Sequence, residues 1–110
     1  MPKENRRIVF TPSEVHRALL EYTAKHNRPI ADGDVDSLLF DPSEDPALVL
    51  MLHRKDGQIE HHSFRLAELG AAIITFCRSH KVPLPHKGKK SLIKVEDSVG
   101  IALGHEWEIP

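Results

Sequence analysis

The chain of 110 residues holds one cysteine, one tryptophan and one tyrosine, and aromatic residues make up only 5 % of it. The single cysteine, Cys77, excludes an internal disulfide and leaves no thiolate pair for zinc. So few aromatics require a core built mainly from leucine, isoleucine and valine. No stretch approaches the roughly 20 consecutive apolar residues of a membrane-spanning helix, and the opening MPKENRRIVF lacks the apolar run of a signal peptide. A soluble, cytoplasmic protein is expected. Charge of one sign is lacking too: 15 basic residues against 16 acidic give a formal charge of −1. No global field therefore steers the protein toward DNA, RNA or a membrane surface. The eight histidines qualify this, because moderate acidification turns the balance positive.

What is present suffices for one packed domain, with 40 % apolar residues. TPSEVHRALLEYTAKHNRP is punctuated as a helix over about Pro12 to His26. Thr11 caps it, Pro12 takes the first helical position and Glu14 completes a capping box. Val15, Ala18, Leu19 and Tyr22 line one side, and Asn27 with Pro29 marks the stop. RRIVF before it is a short strand or an extended arm. DVDSLLFD reads as a strand ended by the loop DPSEDP. ALVLMLHR is apolar without alternation from Ala47 to Leu52, which places it centrally in a sheet with both sides buried. Asp56-Gly57 signals a turn from which QIEHHSF returns antiparallel. RLAELGAAIITFCRSH is the second helix, with Leu66, Leu69, Ile73 and Phe76 as its stripe and Gly70 marking close packing on the sheet. KVPLPHKGKK is an extended basic connector. SLIKV and VGIAL form a last hairpin whose three-residue loop, Glu96 to Ser98, sets Ile93, Val95, Val99, Ile101 and Leu103 on one face.

HRKDGQIEHH, residues 53 to 62, advertises chemistry most openly. If Asp56-Gly57 is a two-residue loop, His53 faces Glu60 and Met51 faces His62. His53, Glu60 and His62 then share one face, while His61 points to the other. Three metal-ligating side chains together are a candidate metal site, though a loop one residue longer breaks the arrangement. A fourth ligand is not indicated, since His80, His86 and His105 stand at no motif spacing and there is no H-E-x-x-H. The plainer reading is a hairpin end with polar side chains.

HKGKKS suggests a phosphate-binding loop only briefly. Pro83 stands where that pattern needs glycine, Lys90 where it needs Ser or Thr, and a strand follows where a helix should. The segment is still the densest positive patch, with Lys81, His86, Lys87, Lys89, Lys90 and Lys94. Lys87, Lys89, Lys90 and Lys94 are candidate anion or nucleic-acid contacts, joined by Arg6 and Arg7 if the fold brings them near. No aromatic residues interleave with the lysines for base stacking. No serine sits in a nucleophile elbow, Cys77 falls beside an apolar helix stripe where a buried thiol is expected, and the acids Asp32, Asp34, Asp36, Glu44 and Asp45 fall in loops or strand edges. Trp107 either docks on the core or anchors a contact.

The run AAIITFCRSHKVPLPHKGKKSLIKVEDSVGIAL resembles small bacterial proteins of unknown function, in which a helix enters a V/I-P-L-P stretch, a basic segment and a short hairpin. The resemblance covers about the last third of the chain. It implies a bacterial cytoplasmic protein and brings no activity, cofactor or site residue.

The expectation is one α+β domain over residues 1–110, with 1–7 flexible. Its order is α-β-β-β-α-β-β, with an antiparallel sheet of about five strands and two packing helices. The expected function is a non-enzymatic interaction or regulatory module without cofactor, self-associating as a homodimer because two helices leave sheet surface to cover. Two alternatives stand beside it: a nucleic-acid-binding accessory protein using Lys87 to Lys94, and a metal-dependent function at His53, Glu60 and His62.

Overall fold

Residues 2–30, 33–84 and 88–106 are described by the computed structural model of the chain. Their elements are β1 (Lys3–Val9), α1 (Pro12–Lys25), β2 (Asp34–Phe40), β3 (Leu48–His53), β4 (Ile59–Phe64), α2 (Leu66–Ser79), β5 (Lys89–Val95) and β6 (Ser98–Glu106). The class is α+β with two helices, as expected. The six strands, however, form two three-stranded antiparallel sheets, β1-β6-β5 and β2-β3-β4, in place of one sheet of about five. The added strand takes in most of the segment 1–7, expected to be flexible, and most of RRIVF, expected as a short strand or an extended arm: Lys3 to Val9 pair with β6 from Glu106 to Gly100. KENRRIV is charged at most positions and shows no apolar alternation, so only its ladder with β6 makes it a strand.

Both helices begin and end for local reasons. Glu14 N–H donates to Thr11 Oγ1 at 3.2 Å and Thr11 N–H to Glu14 Oε1 at 2.9 Å, which is the expected capping box. At α2, Arg65 N–H donates to Glu68 Oε1 at 3.1 Å. The two C-termini close alike. Asn27 (φ 56°) and Lys81 (φ 58°) turn left-handed. The next N–H then returns to a carbonyl five residues back, Arg28 to Thr23 at 2.9 Å and Val82 to Cys77 at 2.8 Å. Val15, Ala18 and Leu19 of α1 and Leu69, Ala72, Ile73, Phe76 and Cys77 of α2 are buried. Leu66, expected in that stripe, is 40 % exposed in the first turn. The buried Thr23 hydroxyl donates to the Leu19 carbonyl at 2.7 Å, so the core holds no orphaned hydroxyl there.

Helices and sheets share one core. Leu48, Leu50 and Leu52 of β3 are wholly buried beside Leu38, Phe40 and Phe64 from its neighbours. Val99, Ile101 and Leu103 do the same from β6, and Leu92 of β5 lies under Gly70. Each such leucine or isoleucine contributes about 1.5–3 kcal/mol when removed from water. β3 is central in its sheet, as its apolar run predicts, but only one side is sealed: Val49 and Met51 stay half-buried.

The last hairpin departs from expectation by one residue. Its loop is Glu96-Asp97, with Glu96 at φ 51°, and Val95 pairs with Ser98. Leu92 therefore joins the core side opposite Ile101, while Ile93 and Val95 turn to the other side. They close over Gly100, where an added Cβ would lie 3.0 Å from Val95 Cγ2 and 3.3 Å from Ile93 Cγ1. Ser98 Oγ donates to the Phe10 carbonyl at 2.6 Å, and Phe10 N–H donates to the Val99 carbonyl at 3.0 Å. These bonds tie the approach to α1 onto β6. No described helix is long and apolar enough to cross a membrane.

Candidate functional site

The β3–β4 turn decides the fate of the histidine cluster. Gly57 N–H donates to the Arg54 carbonyl at 3.0 Å and Arg54 N–H to the Gln58 carbonyl at 2.8 Å. With Gly57 at φ 87°, this is a type I turn followed by a glycine bulge, a three-residue loop of Lys55, Asp56 and Gly57. Gln58 N–H also donates to Asp56 Oδ1 at 3.0 Å, which holds the turn in this form. The loop is one residue longer than the two-residue form expected from Asp56-Gly57. Met51 accordingly faces His61, Leu52 faces Glu60 and His53 faces Ile59.

His53 is thereby separated from Glu60 and His62. It stands on the open side of the sheet with Ile59 and His61, its Nε2 3.8 Å from Asp36 Oδ1. Glu60 and His62 remain together on the helix side, with His62 Nε2 3.1 Å from Glu60 Oε2. The other Glu60 oxygen accepts from Arg54 Nη1 at 2.9 Å, and Arg54 Nη2 reaches Asp56 at 3.2 Å. A guanidinium thus sits against the carboxylate that a metal would need. Among the described residues no three of His, Cys, Asp and Glu gather as a ligand set. Untagged protein should therefore carry well under one zinc, nickel or copper per chain by elemental analysis, and chelator should leave its Tm unchanged. A one-to-one metal content lost in His53→Ala/His62→Ala would contradict this.

The basic segment divides differently. Lys87 lies outside the described residues, as do His86 and Trp107. Lys89, Lys90 and Lys94 belong to β5, and β6 bridges them to β1. Lys90 and Arg6 flank Leu103 on the core side, and Lys89 and Asn5 flank Gly104 on the other, the side that Arg7 shares. Arg6 also donates to the Pro83 carbonyl at 2.8 Å. The fold does bring Arg6 and Arg7 to the lysines, but spreads the cations over both sides of a thin sheet. None of its three strands holds an aromatic residue.

Cys77 is fully buried, and burial pushes its thiol pKa up, which favours the protonated thiol. His80 Nε2 meets Glu21 Oε1 at 2.9 Å and packs on the Phe76 ring, which braces α2 against α1. Asp41, at the end of β2, has its carboxyl held below the usual range by the hydroxyl and N–H of Ser43. These contacts are structural.

Uncovered sheet surface is expected from the sequence, but not where it lies, nor is a groove along β2. The open side of β2-β3-β4 presents Leu39 at 60 % and Ile59 at 46 % exposure, next to half-buried Val49 and Met51. Beside it runs a groove of about 660 Å³ along β2, walled by Pro12, Ser13, Asp34, Asp36, Leu39 and Asp97. The signal for the open side was the apolar run of β3 itself, whose outward half is only half-buried among the described residues. Comparison with family models, curated proteins and solved structures found no match to this chain.

Proposed function

We propose that this protein is a small, cytoplasmic, non-enzymatic interaction module whose first partner is a second copy of itself. The observation that supports this reading is one-sided cover. Both helices join the core on the side of Leu48, Leu50 and Leu52, and the reverse of that sheet exposes Leu39 and Ile59. Large apolar side chains left exposed on one side of a sheet mark a surface for association. One self-complementary patch suffices for a symmetric dimer. Sedimentation equilibrium should find a homodimer at micromolar concentration; monomer alone up to several hundred micromolar would overturn the reading.

A second reading is favoured by one observation, the gathering of Arg6, Arg7, Lys89 and Lys90 into one three-stranded sheet. Phosphate contact by such a sheet would be sequence-independent and salt-sensitive. With no aromatic residue on its strands for stacking, binding to duplex DNA or single-stranded RNA should be no tighter than roughly 10 μM at physiological salt. Fluorescence anisotropy checks this. Sub-micromolar binding that weakens steeply with salt and vanishes in Lys89→Glu/Lys90→Glu would promote the second reading over the first.

A further inference from the structure

Two three-stranded sheets have four edges, and they are not alike. Edge β1 carries Lys3, Arg6 and Arg7 against one Glu4, and edge β5 carries Lys89, Lys90 and Lys94. Edge β2 carries Asp34 and Asp36, and its register with β3 breaks in a bulge between Val35 and Ser37. Like charges and bulges are the devices by which proteins keep open edges from pairing with other chains. β4 has neither. Its sequence, IEHHSF, contains no lysine, arginine or proline, and its register with β3 is unbroken from Leu48–Phe64 to His53–Ile59. Its one acid, Glu60, is already matched by Arg54.

The ladder fixes which groups β4 offers. Arg54 and Gln58 form the hydrogen-bonded pair that closes the hairpin, so the pairs exchanging both bonds recur at Leu52–Glu60, Leu50–His62 and Leu48–Phe64. Ile59, His61 and Ser63 therefore point their N–H and C=O groups away from β3. No backbone bond from these three to any other described segment exists.

We propose that the second copy of this chain pairs along β4, antiparallel about a twofold axis at His61, joining the two β2-β3-β4 sheets into one of six strands. This rests on the self-association proposed above but places the contact at the β4 edge of the sheet, not on its open face. Three registers pair two or more of the outward residues of each chain. With His61 opposite the second copy's His61, all three outward residues of each chain pair, Ile59 with Ser63 and Ser63 with Ile59. Glu60 then stands opposite the second copy's His62, acid against imidazole, in both halves. Sliding by two residues one way sets Glu60 against Glu60; sliding the other way sets His62 against His62. Each of the three registers opposes one like pair, His61 with His61 in the first. Only the first adds two unlike pairs, Glu60 with the second copy's His62 in each half, which extend the Glu60–His62 contact each chain already makes. Complementarity therefore selects the first register. The pairing also sets the two open sides, with their Leu39 and Ile59, next to each other as one surface.

Three variants and the unmodified chain test this together. His61→Pro removes an N–H that β3 does not use, and an edge strand tolerates proline on its solvent side. The circular dichroism spectrum should be retained while the dimer dissociation constant rises at least 100-fold. His61→Cys sets two thiols across the axis at the Cα separation of a hydrogen-bonded pair, within disulfide range. Oxidised glutathione should convert it to a covalent dimer, while the unmodified chain, whose only thiol is the buried Cys77, stays non-covalent. Leu39→Glu, on the open side away from β4, should leave the dissociation constant within about threefold. A dimer that survives His61→Pro, with no cross-link in His61→Cys, overturns the β4 pairing and leaves self-association standing. A wild-type chain that is monomeric throughout overturns both. If His61→Pro fails to fold, the cross-linking result alone decides between edge and face.

Discussion

Leu50→Asp should unfold the protein, while Leu39→Asp should leave its Tm nearly unchanged. Leu50 is wholly buried in the middle strand of its sheet, and Leu39 on the adjoining strand is 60 % exposed on the other side. The first change loses the transfer energy of a leucine and forces a carboxyl into a site with no partner. Together these cost more than about 4–5 kcal/mol, a large part of the stability of a domain this size. The second change falls within about 0.5 kcal/mol, as surface substitutions do. Urea titrations of both variants measure the contrast. Equal destabilisation would mean that β3 and β2 are paired one residue out of register.

Phe64→Ala should destabilise by about 3–5 kcal/mol, the range for large aromatic truncations in packed cores. Phe64 is 1 % exposed, pairs with Leu48 and ends β4 just before α2 begins. The residual cavity would open where the sheet hands over to the helix, with little room for neighbours to collapse. A loss under 1 kcal/mol by chemical denaturation would show that the ring is not enclosed as described.

Punctuation was the legible part of the sequence. Thr11, Pro12 and Glu14 announced the first residue of α1, because capping is a matter of three or four consecutive residues. Asn27 ahead of Pro29 announced its end for the same reason. The hairpins were legible as hairpins, but their loop lengths were not. Asp56-Gly57 fits both a two-residue loop and the last two places of a three-residue one, and only Arg54 and Gln58 closing on each other decides. One residue of slip turns every side chain over. That is why His53 parted from Glu60 and His62, and why Ile93 and Val95 left the face of Val99, Ile101 and Leu103. β1 was the least legible element. Its evidence lies in a partner strand far along the chain, and a reading of local pattern has no access to that. The single sheet of five strands failed with it, since β6 had no known second neighbour to draw it into a sheet of its own.

The placement of β6 between β1 and β5 has a consequence for biogenesis. A ribosome makes β1 first of these elements and β6 last, and β1 has no described strand partner but β6. Throughout elongation Lys3, Arg6 and Arg7 of β1 must stay in solvent as an unpaired arm while α1, β2-β3-β4 and α2 gather around their leucines. Only when β6 clears the exit tunnel can it zip β1 and β5 together. Contacts spanning so much of the chain are the slow ones, because the intervening loop must be closed before they return any energy. A translational pause shortly before Ser98 would prolong a state in which half of the molecule is built and the rest still waits for its middle strand.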